Sequence, residues 1–444
     1  MMTTIASRWL WTGAQLLENA AVHVQDGVIE RIDSGGNEPA CTVKLPHHVL
    51  MPGLVNAHSH AFQRAFRGHV QWANGHDDFW SWRDAMYRVA TSLPPEGIEA
   101  IARLVFVEMA QAGVTSIGEF HYMHHQPGGA PYDDPDELAW RVITAALTAG
   151  MRITLLRTAY HCGGFNKPAS ALQARFIDRR PEDVLAAAQR LGRHQDRRVN
   201  VGIAPHSVRA VPRHWLPELA AFNGPIHAHV AEQLAEVQAC HRLFGRSPLA
   251  LLADAGLLTE RFCAVHLTHP DPGDVALLDA AGGTICVCPT TELDLGDGFL
   301  PVEARAASLC VGSDSHAVID LLHEARTLEM HARGLAQRRN VVHSNGSVDG
   351  LARHLLHSAT TVGRQALGLA SEPLGPGAAA DFCAVDLDRP AADGQPPLCA
   401  VAFNATADWV SDVWVAGERI VHDGRHALRD SAREAALPWL GATT

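Results

Sequence analysis

Lysine is almost missing from this chain of 444 residues, occurring only at Lys44 and Lys167. Arginine therefore carries nearly all of the positive charge, and acidic residues outnumber basic ones to give a formal net charge of −12. Phosphate binding needs a basic face, so this balance argues against a nucleic acid partner. Arginine also offers a planar fork of donors that suits carboxylate ligands.

Long apolar runs and the cysteine spacings of metal or redox motifs are also lacking. No uninterrupted apolar run approaches the roughly 20 residues of a membrane span, and the N-terminus has no signal-peptide pattern. The nine cysteines include no C-x-x-C pair. Cys286 and Cys288 in GGTICVCPT are predicted to be small core residues of a buried strand. We expect a soluble cytoplasmic protein with no membrane partner.

Eight short apolar segments alternate with amphipathic helical segments in the middle of the chain, from residue 51 to residue 370. The apolar segments are GLVNAHSH, GVTSIGEFHY, RITLLRTAY, NVGIAPHS, GPIHAHVAE, FCAVHLTH, GTICVCP and SLCVGSDSH. Helical runs such as PPEGIEAIARLVFVEMAQAG and PDELAWRVITAALTAG end in a glycine, where a helix would stop. This alternation predicts an α/β fold, a (β/α)8 barrel of the TIM type.

The two ends of the chain show a different, glycine-punctuated strand pattern. VHVQDGVIERID alternates around an Asp26-Gly27 turn, and similar strands recur in PLGPGAAADFCAVDLD and DVWVAGERIVHDGRH. We predict that residues 1–50 and 371–444 together form a small β-sandwich domain, and that residues 51–370 form the barrel domain.

Nearly every predicted barrel strand ends in a polar residue that an ordinary core strand would not carry. The carboxyl ends of barrel strands open onto one rim, so residues far apart in sequence converge there. One such histidine would be expected to be structural, but a set at successive strand ends indicates a functional site. The set comprises His58, His60, Glu119, Tyr122, His206, His229, Glu232, His266 and Asp314.

The pair His58 and His60 is the sharpest local signal. Residues two apart in a strand share a face, roughly 6.7 Å from Cα to Cα, so both imidazoles can reach one ion. His229 is the predicted third nitrogen ligand, and Asp314 the oxygen ligand, because a buried aspartate is costly unless it is paired or bound to a metal. Three histidines and one carboxylate predict one divalent ion, with Zn²⁺ the first candidate and iron or nickel as alternatives.

The same strand ends supply groups for hydrolysis. Zinc in such a site lowers the pKa of a water molecule, Asp314 is placed to take its proton, and His266 to stabilise the developing negative charge. Glu232 is expected to overhang the ion without binding it and to carry protons, although the helix dipole alone also favours a glutamate there. Other zinc signatures are missing, both H-E-x-x-H and H-x-E with P-C-x-x-C.

PGLVNAHSH, HAHVAE, VHLTH and GSDSH occur in the order found in the amidohydrolase superfamily, which this chain resembles over essentially its whole length. GPGAAADFCAVD and VWVAGERIVHDGR are similar to the terminal β-domain of that superfamily. Neither lysine falls at a middle strand end, where binuclear members carry a carboxylated lysine. The resemblance implies a mononuclear, homodimeric deaminase-type enzyme with metal ligands His58, His60, His229 and Asp314 and catalytic residues Glu232, His266 and Asp314.

A narrower resemblance is carried by HSHAFQRAFRG, DDFWSWRDAMYR, EFHYMHH, PHSVRAV and HAHVAEQ. These stretches are similar to deiminases of the superfamily that release ammonia from the formimino group of an acidic amino acid in histidine degradation. A small dicarboxylate substrate is therefore expected. The resemblance implies substrate contacts from Gln63, Arg83, Tyr122, His206 and Arg209.

The two arginines of that set suit the two carboxylates of such a substrate. Arg83, in the long loop after the first strand, and Arg209, just past His206, can each bind a carboxylate through two hydrogen bonds. Solvated loop arginines fit the sequence equally well. Trp80 and Trp82 are expected to pack this loop against the barrel, with a moving lid as the weaker hypothesis.

Two other functions stay open from the sequence alone. Another deaminase of the same superfamily would act on a purine, pyrimidine or triazine ring, which would not need two arginines near the rim. A barrel without activity would serve as a scaffold, but the intact set of ligands and acid–base groups speaks against it.

Overall fold

A computed structural model describes residues 2–35, 42–72, 78–301, 308–343 and 346–441. Its strands in chain order are β1 (Thr3–Trp11), β2 (Leu16–Gln25), β3 (Val28–Ser34), β4 (Val43–Pro52), β5 (Leu54–Ser59), β6 (Val114–His121), β7 (Arg152–Ala159), β8 (Cys162–Gly164), β9 (Lys167–Pro168), β10 (Val199–Pro205), β11 (Ile226–Val230), β12 (Phe262–His266), β13 (Thr284–Val287), β14 (Ser308–Val311), β15 (Phe382–Asp386), β16 (Val410–Val415), β17 (Glu418–His422) and β18 (Arg425–His426).

The α-helices connect most of these strands. They are α1 (Phe79–Ser92), α2 (Pro95–Gln111), α3 (Glu137–Thr148), α4 (Pro181–Leu191), α5 (Leu216–Ala220), α6 (Leu234–Phe244), α7 (Pro248–Asp254), α8 (Asp274–Ala280), α9 (Pro289–Asp294), α10 (Leu321–Ala336), α11 (Val348–Ser358), α12 (Thr361–Ala366), α13 (Pro397–Phe403) and α14 (Arg429–Ala436). Among the described residues, no helix combines the length and apolar character needed to cross a membrane.

The predicted (β/α)8 barrel is confirmed. Eight parallel strands form one sheet in the order β5, β6, β7, β10, β11, β12, β13 and β14, and each derives from one of the eight segments identified in the sequence. A bridge between Ser59 and Asp314 joins the first strand to the segment after the last. There the Asp314 amide donates to the His58 carbonyl at 3.0 Å, and the His60 amide donates to the Asp314 carbonyl at 3.1 Å.

Glycines end the two helices predicted from their sequence pattern. Gly113 follows α2 with a φ of +89°, and Gly150 follows α3 with a φ of +75°. Both angles lie in the left-handed region, which glycine adopts without the steric cost that a Cβ would add. The chain can therefore reverse within two residues and enter β6 and β7 directly.

The two ends of the chain pair in a second sheet, in the order β18, β17, β16, β15, β4, β1, β2 and β3. β1 and β4 are parallel, and the other neighbours are antiparallel. Leu50, Phe382 and Trp414 belong to a core on one face of this sheet. Val49 and Met51, on either side of Leu50, belong to the larger core that includes the barrel, as the two-residue period of a strand requires.

A buried ion pair joins the terminal sheet to the bottom of the barrel. Arg152, at the start of β7, donates from Nε and Nη2 to the two carboxylate oxygens of Asp381 at 2.9 and 3.0 Å. Asp381 directly precedes β15 and also accepts the Ala416 amide at 2.8 Å. The barrel therefore rests on the terminal sheet through a fixed contact as well as apolar packing. The exact domain limits at residues 50 and 371 stay a prediction.

One local expectation was wrong, because the segment FWSWRDAMYR, from Phe79 onward, is helical rather than a loop. Asp78 caps α1 by accepting the amides of Trp80 and Ser81, and Ser81 returns a hydrogen bond to the Asp78 backbone. This reciprocal cap begins a helix in which Trp80, Trp82 and Arg83 occupy the first turn. The aromatic residues had made this stretch look like an irregular loop.

A candidate metal centre and active site

The four predicted metal ligands converge at the carboxyl end of the barrel. His58 lies near the end of β5 and His60 just beyond it, His229 lies in β11, and Asp314 follows β14. All four residues are buried. Asp314 adopts a φ of +44°, an unusual angle for a residue with a side chain, and such strain is typical of functional sites.

The ligand atoms of these residues face one another. Oδ1 of Asp314 lies 3.4 Å from Nε2 of His58 and 3.4 Å from Nε2 of His60. Nε2 of His229 lies 3.2 Å from Nε2 of His58. His58, His60 and Asp314 are one group whose ligand atoms all lie within 4.8 Å of one another, and His58 and His229 belong to a second such group with His266. Each of these groups could share an ion, and His58 belongs to both, but no single group among the described residues contains all four predicted ligands.

The protonation of the histidines fits a metal site. Nδ1 of His60 donates to the Phe120 carbonyl at 2.9 Å, and Nδ1 of His229 donates to the His206 carbonyl at 3.1 Å. These bonds leave both Nε2 lone pairs directed at the shared point. Burial lowers the pKa of His60 to about 3 and holds the pKa of His229 well below its usual value. Neutral imidazoles beside a carboxylate are the form that binds a divalent cation.

The three predicted catalytic residues form a contiguous group beside the ligand atoms. Nε2 of His266 lies 3.7 Å from Oδ2 of Asp314 and 3.8 Å from Oε1 of Glu232. Burial opposes protonation of His266, but the charges of Glu232 and the hydrogen bond to Glu292 raise its pKa to about 10. Burial raises the pKa of Glu232. A positive imidazole and a carboxyl group with raised proton affinity are therefore adjacent, as general acid–base chemistry requires.

Arg209 is close to this group and is already paired with protein carboxylates. Its Nη2 donates to Oε2 of Glu232 at 3.3 Å, and its Nε lies 3.2 Å from Oε1 of Glu236. Glu236 is fully buried on α6. Burial opposes the charge of Arg209, but the two glutamates raise its pKa further. Arg209 therefore neutralises two buried acids in addition to any contact with a ligand.

The remaining predicted substrate contacts line the same space. Nε2 of Gln63 donates to the Tyr122 hydroxyl at 3.0 Å, while Oε1 of Gln63 is buried without a hydrogen-bond partner among the described residues. Arg83 lies with its guanidinium 4.6 Å from the Trp80 ring, and within the same described part of the chain its Nε has no hydrogen-bond partner. His206 packs against neighbouring rings, with its ring centroid 4.8 Å from that of His229 and the two planes tilted by 57°. These unpaired polar atoms are available to a bound molecule.

One small cavity brings almost all of the predicted residues together. Its volume is about 40 Å³, and its lining includes His60, Gln63, Arg83, Tyr122, His206, Arg209, His229, Glu232, His266 and Asp314. His58, the remaining predicted residue, is fully buried beside them. A larger outer cavity of about 710 Å³ shares Arg83 and Arg209 with the inner one. The two arginines therefore stand between the inner site and the opening.

Two acidic residues of the site escaped the sequence analysis. Oε1 of Glu292 lies 3.3 Å from Nδ1 of His266, and Asp297 is buried nearby, where burial and the charge of Glu232 raise its pKa to about 9. Both follow β13, which, like β7, is a barrel strand without a predicted site residue at its end. The acidic residues in TELDLGD were the signal that could have identified these two site residues, but the same pattern is typical of an ordinary helix followed by a turn.

The Amidohydrolase family profile matches residues 49–420, so this chain belongs to the amidohydrolase family and is a hydrolase. The chain is 39% identical to formimidoylglutamate deiminase of Pseudomonas aeruginosa, over 94% of each protein. It is 29% identical to a 5-methylthioadenosine/S-adenosylhomocysteine deaminase of Halobacterium salinarum, over 96% of each. A crystal structure of an amidohydrolase from Brucella melitensis superimposes with a TM-score of 0.92 at 35% identity, covering 99% of each chain.

Proposed function

We propose that this protein hydrolyses N-formimino-L-glutamate to N-formyl-L-glutamate and ammonia. The observation that carries the proposal is the juxtaposition in one cavity of a ligand group, an acid–base group and two arginines. The ligand and acid–base groups suit hydrolysis of a carbon–nitrogen bond, and the arginines suit a substrate with two carboxylates. The similarity to formimidoylglutamate deiminase supports the same substrate.

His58, His60, His229 and Asp314 would hold one divalent ion, with Zn²⁺ favoured by three nitrogen ligands and one oxygen ligand. When bound, such an ion lowers the pKa of a water molecule and so supplies a nucleophile near neutral pH. Asp314 accepts the proton of that water through Oδ2, the oxygen that faces His266. One ion per chain fits the positions of the lysines, since Lys44 lies in β4 and Lys167 in β9, away from the barrel strands.

Protein side chains then assist the addition of water to the substrate and the elimination of ammonia. The water oxygen bonds to the formimino carbon, and His266 stabilises the negative charge that develops as this bond forms. Glu232 delivers a proton to the imino nitrogen as the oxygen adds. The proton that Asp314 took from the water then passes to the same nitrogen, and the carbon–nitrogen bond breaks to release ammonia. Glu232 regains a proton from the added hydroxyl group, which leaves a formyl group. This role is supported by the raised pKa of Glu232, which is caused by its burial.

The arginines would bind the two carboxylates of the substrate. Arg83 has no carboxylate partner among the described residues and offers an unpaired Nε, so it is free to accept a carboxylate. Arg209 can contact a second carboxylate while it stays near Glu232. The outer cavity adds Lys167 and Arg242 to its lining, and these positive charges would attract a dianionic substrate.

Substrate entry requires the inner cavity to enlarge. Its volume of about 40 Å³ is far below the roughly 300–1,000 Å³ of typical small-molecule sites. The first turn of α1 supplies Phe79, Trp82 and Arg83 to the wall. We therefore propose that this turn moves outward to admit the substrate, as lid segments do in other enzymes.

The direct test measures ammonia release by the zinc-loaded protein from N-formimino-L-glutamate, adenosine, 5-methylthioadenosine, guanine and cytosine. The proposal expects turnover of N-formimino-L-glutamate with kcat/KM at least about 100-fold above that of any ring substrate, in line with the discrimination that unpaired buried polar groups impose. Preferred turnover of a ring would instead establish the purine or pyrimidine alternative. No turnover of any of these substrates by metal-loaded protein would favour the scaffold.

The cellular setting belongs to the same proposal. An enzyme that converts the formimino group of N-formimino-L-glutamate to a formyl group acts in histidine degradation, and we expect it in the cytoplasm as a homodimer. Size-exclusion chromatography with light scattering would test the assembly, for which a mass near twice the 47.8 kDa of one chain is expected.

A further inference from the structure

The two ring nitrogens of His266 face different groups. Nε2 faces Asp314 and Glu232, at 3.7 and 3.8 Å, and has no hydrogen-bond partner among the residues that the structure describes. Nδ1 faces Oε1 of Glu292 at 3.3 Å. Glu292 is itself buried, with 2% of its surface exposed. One side of the imidazole is therefore held by a carboxylate while the other side is directed at the reacting atoms.

We propose that Glu292 is a positioning residue that fixes the orientation of the His266 imidazole, an inference that rests on the proposed function. A carboxylate that accepts the Nδ1 proton leaves Nε2 as the nitrogen presented to the substrate. It also prevents the ring from rotating about its side-chain bonds, so that Nε2 stays between Asp314 and Glu232. Carboxylate partners of this kind set the orientation of histidines in many metal sites.

The position of Glu292 is fixed by the start of α9. Its Oε1 also accepts the Cys288 amide at 2.8 Å, which satisfies a backbone donor at the beginning of the helix. Thr291, one residue earlier, donates from its hydroxyl to the Ser313 carbonyl at 3.3 Å. The first turn of α9 therefore contacts both the His266 side chain and the segment that carries Asp314. This arrangement fixes the position of His266 relative to Asp314.

A purely structural role of Glu292 as a helix cap is the alternative, and Glu324 provides a matched control. Glu324 is also a fully buried glutamate, and its Oε2 accepts the amide of Thr290 in the same helical turn at 3.0 Å. Glu324 has no contact with His266 among the described hydrogen bonds and ion pairs. Removing either carboxylate disturbs α9, but only removal of Glu292 frees the imidazole.

The first experiment compares Glu292→Met, Glu292→Gln and Glu324→Met in the full-length, metal-loaded enzyme. Methionine keeps the volume but offers no acceptor, so we expect Glu292→Met to lower kcat about 10- to 100-fold, the range for lost outer partners of metal-site histidines. KM and metal content should stay within about twofold. Glu292→Gln keeps an acceptor oxygen and should recover part of kcat. Glu324→Met should lower Tm and leave kcat within about threefold.

Equal losses of kcat in Glu292→Met and Glu324→Met would overturn the proposal, because they would show that Glu292 acts only as a helix cap. So would a Glu292→Met enzyme with kcat within about threefold of the wild type. A second readout needs no turnover. In protein labelled with ¹⁵N-histidine, we expect a low-field Nδ1–H signal that disappears in His266→Gln and shifts or disappears in Glu292→Met but persists in Glu324→Met. Persistence of that signal in Glu292→Met would contradict the contact even if N-formimino-L-glutamate were not the substrate.

Discussion

Replacement of Arg83 by methionine tests whether the first turn of α1 binds a substrate carboxylate. Arg83 is half-buried, and among the described residues it contacts the rings of Trp80 and Tyr87 and no carboxylate. The loss of those ring contacts costs about 0.5–1 kcal/mol at such a site. The lost charge-assisted hydrogen bonds to a substrate carboxylate are worth about 1.5–3 kcal/mol. The effect on binding should therefore exceed the effect on folding.

At about 1.4 kcal/mol for each factor of ten, the lost bonds predict a rise in KM of about 10- to 100-fold for N-formimino-L-glutamate, with kcat nearly unchanged. The assay is steady-state ammonia release, with Tm measured in parallel. Arg88→Met is the matched control, because Arg88 is an exposed residue of the same helix. An unchanged KM in a folded Arg83→Met enzyme would remove Arg83 from the substrate site.

Substrates that lack one carboxylate sharpen this test. N-formimino-4-aminobutyrate lacks the α-carboxylate, and N-formimino-2-aminobutyrate lacks the side-chain carboxylate. If Arg83 binds one carboxylate, its replacement should have almost no further effect on the substrate without that group, as in a double-mutant cycle. The same loss with all three substrates would refute a direct contact and indicate a general change in α1.

Three further predictions concern the buried charges around the site. Arg209→Met should destabilise the protein by about 3–5 kcal/mol in urea unfolding, because Glu232 and Glu236 would be left buried without a counter-charge; a loss below about 1 kcal/mol would show that the pairing is weak. Glu232→Gln should lower kcat about 100- to 10,000-fold with the fold and metal content retained, and near-normal turnover would exclude proton transfer by this residue. Burial raises the pKa of Glu324 to about 8, so its contribution to stability is complete at pH 4 and is lost as the pH rises through 8. Tm of the wild type should therefore fall more steeply between pH 5 and pH 8 than Tm of Glu324→Gln. Parallel curves of Tm against pH would contradict the raised pKa of Glu324.

The barrel and the convergence of the candidate ligands could be predicted because both follow from local patterns. Each barrel strand is a short apolar run, and a histidine or acid at its carboxyl end has one available direction, toward the rim. His58, His229 and Asp314 could therefore be placed together without any knowledge of their contacts. The helical start of α1 could not be predicted in the same way, because its cap depends on Asp78 and Ser81 within a stretch dominated by aromatic residues.

The hydrogen-bond and ion-pair partners of the site residues could not be predicted from the sequence, for a different reason. Glu292 reaches His266 across two neighbouring strands, and Glu236 reaches Arg209 from the first turn of α6. Each glutamate is near the start of a helix, where an acidic residue is common on electrostatic grounds alone. Only the three-dimensional packing distinguishes a buried partner from an exposed helix residue, because the two have the same local sequence signature.

The central claim is that three histidines and one aspartate share a single divalent ion. Anomalous diffraction from crystals of the enzyme, recorded on either side of the zinc absorption edge, tests this most directly. We predict one anomalous peak per chain, roughly 2.0–2.2 Å from Nε2 of each histidine and from Oδ1 of the aspartate. A peak bound elsewhere, or fully zinc-loaded protein with no peak between these four side chains, would contradict the account.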